Sequence, residues 1–320
     1  MMTNLDPAAE LFLAEASRIQ ERIAEANRQV SSGKRISTAS DAPDQIGSLL
    51  QLRAQQSRNT QIQSNLVQAK ANADTAENAL ANAITLMDSA LTLASQGTNV
   101  SMTDTSRQAL AQQVQSLQEQ MVAISRTTVQ GKYVFSGDQD GVAAYALNLT
   151  PPPDKADGSP GTPTNGVDRF LSVQTATRQI EDPAGGFFAA AKTGQEIFDY
   201  GRNTDGSTAP ENVFAALNIL RLALLSNNAT SITNAMTGLR ASSNHLIAEQ
   251  SFYGTVQNRI QSADNYASSM SVRLQTQLSQ TEDSDVTSAA LELTQATTQL
   301  QAVFQMRAKM PHNSLFDYLG

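Results

Sequence analysis

Between Val256 and Leu278 the residues Val256, Ile260, Ala263, Ala267, Met270, Leu274 and Leu278 recur at steps of four and three. A repeat of this kind draws one narrow apolar edge along a helix and leaves the rest of its circumference polar, the pattern of a coiled-coil seam. The stepping breaks once, over Gln280–Asp285, and resumes at Leu293, Thr297, Leu300 and Phe304. Asp285 is placed to cap the second helix, with Ser288 three residues further on. Two helical rods therefore follow one another from Val256 to Arg307. A single apolar edge does not stay in water, so the rest of the chain must supply what covers it.

The same stepping appears at the other end. Ile19, Ile23, Ala26 and Val30 step 4-3-4, with Arg18, Glu21, Arg22, Glu25 and Arg28 on the outer faces. This helix should stop at Ser31-Ser32-Gly33, where glycine takes the left-handed conformation that side chains resist. Lys34 to Asp44 is a polar loop whose Asp41-Ala42-Pro43 signals a turn ahead of a helix start. A long helix begins at Ile46 and carries the cleanest ladder of the chain: Leu66, Ala69, Ala73, Ala76, Leu80, Ala83, Met87, Ala90 and Ala94. Gln96-Gly97 ends it. A returning helix, capped by Asp104 or Thr105, follows with Leu110, Val114, Leu117, Met121, Ile124 and Thr128 on its seam.

From Gly131 to Ala209 the period shortens to about two residues. Tyr133–Phe135, Ala143–Leu149 and Phe170–Val173 read as short strands separated by turn-rich segments. Helical signals return with a capping box at Thr208–Glu211 ahead of Val213, Phe214, Leu217, Leu220 and Leu224. Asn227 and Asn228 break that helix, and another starts near Thr230. The expected fold is mainly α: a long antiparallel helical bundle or coiled coil built from both chain termini, with a small mixed or β-rich inserted domain.

Composition agrees with narrow seams. The chain of 320 residues is 40% hydrophobic but only 5% aromatic, and it has no Trp. Its net charge is -8, and its 22 Lys and Arg form no cluster that would track a phosphate backbone, so neither nucleic acid nor an anionic membrane is expected as a partner. Without cysteine there are no disulfides and no thiolate metal sites. The two histidines, His245 and His312, stand in no ligand spacing. Glu282, Asp283 and Asp285 lack the central glycine and closing glutamate of a calcium loop, and they read as helix N-terminal charge. No phosphate-cradling motif is present. The expectation is therefore no catalytic, cofactor or metal residues, and no enzyme. The opening Met1–Pro7 has neither a basic nor an apolar signal region, consistent with a cytoplasmic protein or export without a cleaved signal.

Specific motifs carry a resemblance. Val30-Ser-Ser-Gly-Lys-Arg-Ile36 followed by Asp41-Ala-Pro-Asp44 is similar to the N-terminal signature of the bacterial flagellin superfamily. Gln130-Gly-Lys-Tyr-Val-Phe-Ser-Gly137 and the closing Ser314-Leu-Phe-Asp-Tyr-Leu319 resemble its junction proteins, which stand between hook and filament, more than its flagellins. Ser32, Gly33, Arg35, Asp41, Pro43, Tyr133, Phe135 and Gly137 are the signature residues on which this rests. The resemblance implies export without a cleaved signal through the flagellar type III apparatus, an extracellular place in the flagellum, and ring-like assembly through terminal helices. It implies three layers: 1–35 with 285–320 as the terminal coiled coil, 36–135 with 225–284 as a four-helix rod, and 136–224 as an outer domain. It implies as partners neighbouring copies, hook-associated protein 1 on the hook side, flagellin on the filament side, and an export chaperone within Val286–Leu319. The assembly interface would then include Ile19, Ile23, Val30, Leu293, Leu300, Phe304, Leu315, Phe316 and Leu319.

Three functions remain open on the residues. A structural adaptor joining two filament types is the first, and a short flagellin that forms the filament itself is the second. The third, of another class, is a ligand- or glycan-binding module in the insert.

Overall fold

The computed structural model describes residues 7–150, 165–171, 174–202 and 207–309. Among these, seven helices and six short strands follow in the order α1 (Pro7–Ser32), α2 (Ile46–Gly97), α3 (Asp104–Ser125), β1 (Thr128–Val129), β2 (Lys132–Tyr133), β3 (Tyr145–Leu147), β4 (Val167–Arg169), β5 (Gln179–Glu181), β6 (Phe187–Ala189), α4 (Gly194–Ile197), α5 (Val213–Leu225), α6 (Ala229–Glu282) and α7 (Val286–Lys309). The strands pair antiparallel as three two-stranded ribbons, β1-β2, β3-β4 and β5-β6. The chain divides into two compact units, residues 60–268 and residues 1–59 with 269–320.

The 60–268 unit is built on the Ala/Leu/Met ladder of α2, whose nine members from Leu66 to Ala94 are all buried. Small seam residues let neighbouring backbones approach, and the larger Leu80 and Met87 fill the spaces between them. α3 packs along α5. On α6, Val256, Ile260, Ala263 and Ala267 turn inward, and Gln257 Nε2 donates to Asp74 Oδ1 (3.0 Å) and Glu77 Oε2 (2.9 Å) of α2. α5 is apolar around most of its circumference, with Val213, Phe214, Leu217, Leu220 and Leu224 buried, as a helix enclosed by others must be. Its Leu224 sits so close to Gly97 that a Cβ there would lie 2.6 Å from Leu224 Cδ2.

The insert shares this core. Phe135, Tyr145, Phe198 and Phe214 form an aromatic chain in which Phe135 meets Phe198 edge-on at 5.2 Å and Tyr145 meets Phe214 at 5.0 Å. All four belong to the one buried cluster that runs down the helices. Asp199 is fully buried and collects hydrogen bonds from three side chains, with a fourth as an ion pair. Asn165 Nδ2 (2.8 Å), Asn212 Nδ2 (2.9 Å) and Arg169 Nε (3.0 Å) bond to it, and Arg202 stands at 3.6 Å. A buried carboxylate survives only with such company.

Several expectations are corrected. The N-cap of α3 is Thr103, whose hydroxyl accepts from Ser106 N; Asp104 is already inside the helix. α5 starts on Asn212, whose side chain accepts from Ala215 N, so Thr208–Glu211 is not its capping box. The capping box of the insert is Thr193 with Glu196, on α4. The strand expected at Tyr133–Phe135 ends at Tyr133, because Phe135 turns into the aromatic core. In place of the strand expected at Phe170–Val173, pairing occurs earlier, at Val167–Arg169; Ser172 and Val173 lie outside the described residues. Thr128 leaves the α3 seam for β1.

Candidate assembly surface

The unit of residues 1–59 and 269–320 holds the two terminal helices, which pack along one another. On α1 the seam consists of Phe12, Ala16, Ile19, Ile23, Ala26 and Val30; Ala16, Ile19 and Ala26 are buried and the others half-buried. α7 meets it with Ala289, Leu293, Ala296, Leu300 and Val303, of which the two alanines are buried. The seam thus passes through Ala296 and Val303, one residue before the expected Thr297 and Phe304. Phe304 is 50% exposed and meets Phe12 edge-on at 5.9 Å. Across the pair, Arg22 donates to Glu292 Oε1 (2.7 Å) and Gln299 Oε1 (2.9 Å).

The base of this pair is tied by the loop after α1. Gly33, at φ +68°, turns the chain out of the helix. Its carbonyl accepts from Ser284 N (2.9 Å), while Arg35 N (2.7 Å) and Ile36 N (3.2 Å) donate to Glu282 O. The Arg35 guanidinium reaches Thr281 O at 2.7 Å, and Ser284 Oγ reaches Gln29 at 3.1 Å. Glu282, almost buried, pairs with Lys34 and with Arg53 at 2.9 Å. Burial would raise its pKa, but hydrogen bonds and charge from Lys34 and Arg53 outweigh this and hold it below the ordinary carboxylate value. Asp41 gathers the rest of the loop by accepting from Thr38 N (2.7 Å) and Ser37 N (2.9 Å), which lowers its pKa. Ser32 donates to Arg28 O, and Pro43 is exposed in the turn that leads to α2. Asp285 caps α7 as expected, accepting from Thr287 N (2.9 Å) and Ser288 N (3.2 Å), and its pKa is lowered by those bonds.

The remaining expected residues divide as follows. Tyr133, Phe135 and Gly137 belong to the 60–268 unit, where Gly137 has φ +63° and a Cβ on it would lie 2.1 Å from Thr175 O. Leu315, Phe316, Leu319 and His312 lie outside the described residues. His245 is half-buried and bonds through Nε2 to Glu196 O at 2.9 Å.

Two features of the terminal pair escaped the sequence reading. Leu11, Leu13, Leu291 and Met306 are 55–75% exposed although they flank the seam. From Leu293 to Met306 the chain carries no Asp, Glu, Lys or Arg, so this stretch of the outer face of α7, with Thr294, Gln295, Thr298, Ala302 and Gln305 exposed, is free of charge up to Lys309 in the last turn. Solvated helix faces normally carry charges, whereas a face covered on assembly avoids their desolvation cost. Counting charges per face, instead of apolar steps alone, would have found it.

Among the described residues no helix is long and apolar enough to cross a membrane, and no group of three or more His, Cys, Asp or Glu is arranged to hold a metal ion.

Comparison with known proteins gives a consistent result. Residues 7–140 match the bacterial flagellin N-terminal helical region and residues 225–319 match the bacterial flagellin C-terminal helical region. The chain is 25% identical over 304 residues to flagellar hook-associated protein 3 of Escherichia coli strain K12, and 24% identical over 304 residues to that of Salmonella typhimurium, with 90% of each chain covered. In structure it is similar to a flagellar hook-associated protein of Vibrio parahaemolyticus (TM-score 0.60, 18% identity, 76% of this chain and 100% of that one). It is also similar to flagellar hook-associated protein 3 of Legionella pneumophila (TM-score 0.58, 14% identity, 72% and 98%).

Proposed function

The chain belongs to the bacterial flagellin family through both of its helical ends, and from that premise we propose that it is a structural subunit joining the flagellar hook to the filament. The observation that carries this reading is the terminal pair itself. A two-helix seam buries little apolar surface and is marginal alone, yet this one keeps Leu11, Leu13, Leu291 and Met306 exposed beside a charge-free face of α7. Neighbouring subunits would cover these residues together with the half-buried Ile23, Val30, Leu293 and Leu300 and the exposed Phe304, whereas Ile19 is already buried within the pair.

In this reading residues 1–35 and 285–320 form the inner layer, 36–135 and 225–284 the rod, and 136–224 the outer domain. Copies of the chain close a ring. A hook-associated protein 1 contacts it on the hook side and flagellin on the filament side, and an export chaperone holds Val286–Leu319 before assembly. The chain leaves the cell through the flagellar export route with no cleaved signal. Its work is mechanical and requires no catalytic group. The junction role is favoured over a short flagellin because 90% of the chain aligns with hook-associated relatives.

The test is truncation of residues 1–30 or 290–320. Assembly onto hook ends is lost while the 60–268 unit keeps its melting temperature. If either truncation unfolds that unit, or if assembly persists, the terminal layer has been wrongly assigned.

A further inference from the structure

In the 60–268 unit a half-enclosed cavity of about 350 Å³ lies between α2, α6 and the insert. Its volume falls at the lower end of the range of small-ligand sites. Ala69, Val129, Val134, Ile180 and Ala190 give it apolar walls, and Tyr253, itself buried, lies among the lining residues. The polar groups at its rim are of a particular kind. Gln68, Asn72 and Gln130 contribute carboxamides, each able to donate and accept. Asp140 and Asp138 oppose Lys132 and Arg178, so the charged part of the rim sums to zero.

These groups are held in place. Asp140 Oδ2 carries both Arg178 (2.8 Å) and Lys132 (3.3 Å). Asp138 accepts from Thr175 and Thr177, and the Tyr253 hydroxyl accepts from Lys192 N at 3.1 Å. Gln130 has φ +53°, a conformation that a residue with a side chain adopts at a cost, in the tight β1-β2 turn that carries its amide to the rim. Turns of this type favour Asn or Asp at that position, so the longer amide has a reason to be there.

A charge-balanced rim does not concentrate phosphates or other strong anions, and a metal ion would find only carboxylates already bonded to cations and hydroxyls. Planar amides and carboxylates above an aliphatic wall suit a ligand with many hydroxyls on one edge and C–H groups on its face. We propose that this cavity binds a neutral saccharide, one or two rings in size, separately from the assembly function of the terminal helices. The ring is either a free sugar or a unit of a glycan attached to a neighbouring surface, and the recognising chemistry is the same.

The experiment is saturation-transfer NMR on the full-length chain with glucose, N-acetylglucosamine and maltose. Their methyl glycosides stand in for a chain-attached ring, and glucuronate and inorganic phosphate serve as charged comparators. The wild-type chain is expected to give saturable transfer to ring C–H protons of a neutral saccharide. Q68A/N72A, which removes two amides from a solvent-facing part of α2, weakens binding by roughly tenfold for two lost hydrogen bonds with an unchanged melting temperature. A preference for methyl glycoside over reducing sugar assigns the attached source, and the reverse assigns the free one. The proposal is overturned by absence of saturable transfer for every neutral saccharide, by equal binding in the double variant, or by tighter binding of a charged comparator.

Discussion

Replacing Gly137 with alanine tests how tightly the insert is seated. Two costs are separable in the structure. The φ of +63° penalises any L side chain by about 1–2 kcal/mol. The new Cβ would also stand 2.1 Å from Thr175 O and 2.9 Å from Thr175 C, both backbone atoms that cannot rotate away. Moving Thr175 breaks the 2.8 Å bond from Asp138 N to its carbonyl, a further loss of about 1 kcal/mol, before any disturbance of the adjoining bonds to Asp138. The expected destabilisation is therefore about 2–3 kcal/mol, above that of a change in conformation alone. Gly131→Ala is the internal control: its φ is +78°, yet nothing lies within 4 Å of the added Cβ. It should cost only the conformational part, about 1–2 kcal/mol. In a unit of this size 1 kcal/mol shifts the midpoint by roughly 2–4 °C, so calorimetry separates the two variants. Equal shifts for G137A and G131A would refute the contact argument.

Other perturbations follow the same logic. Arg169→Met removes the closest cation from the fully buried Asp199 and should cost about 3–5 kcal/mol, as for a buried pair broken on one side; Arg18→Met at the exposed Glu15 pair should stay within about 0.5 kcal/mol, and urea melts of both compare them. Asn212→Ala uncaps α5 and takes a donor from Asp199, with an expected loss of about 1–2 kcal/mol by urea unfolding; a neutral result would show the cap to be redundant. Glu282→Gln weakens the ties to Lys34 and Arg53 and should raise hydrogen exchange at Arg35 and Ile36. Because the folded pKa of Glu282 is depressed, its contribution is present above the unfolded carboxylate pKa and is lost as pH falls through the folded value, so wild type and variant should converge in acid. A difference that grows in acid would contradict the assignment.

The helical plan was legible because its signals are redundant. The α2 ladder runs unbroken from Leu66 to Ala94 and ends on Gly97, and the α1 seam ends on Gly33, so period and stop signal agree. The seam phase of α7 was less determinate: Val303 and Phe304 are adjacent and apolar, and steps of three or four reach either one. Choosing between them takes the partner helix, which only the fold supplies. The α3 cap was missed for a similar reason, since Thr103 and Asp104 are both good caps and sequence does not say which backbone amide is left unpaired. The insert was the least legible part. Ribbons of two or three residues are too short to set up an alternating pattern, and their order comes from Phe135, Phe198 and Phe214 docking into one core. The donors to Asp199 come from positions 165, 169 and 212, with the cation of Arg202 beside them, a convergence that no local pattern announces. The surface of the terminal pair was half legible: the seam could be read from apolar steps, but the charge-free outer face of α7 gains meaning only once the seam is known to point elsewhere.

The most direct test of the central claim is electron microscopy of the purified full-length chain, alone at rising concentration and then mixed with hooks bearing hook-associated protein 1. A junction role predicts no long polymer from the chain alone, a bounded ring on hook ends, and flagellin growth only from hooks so capped. Long filaments formed by the chain alone, or flagellin growth that ignores the cap, would contradict it.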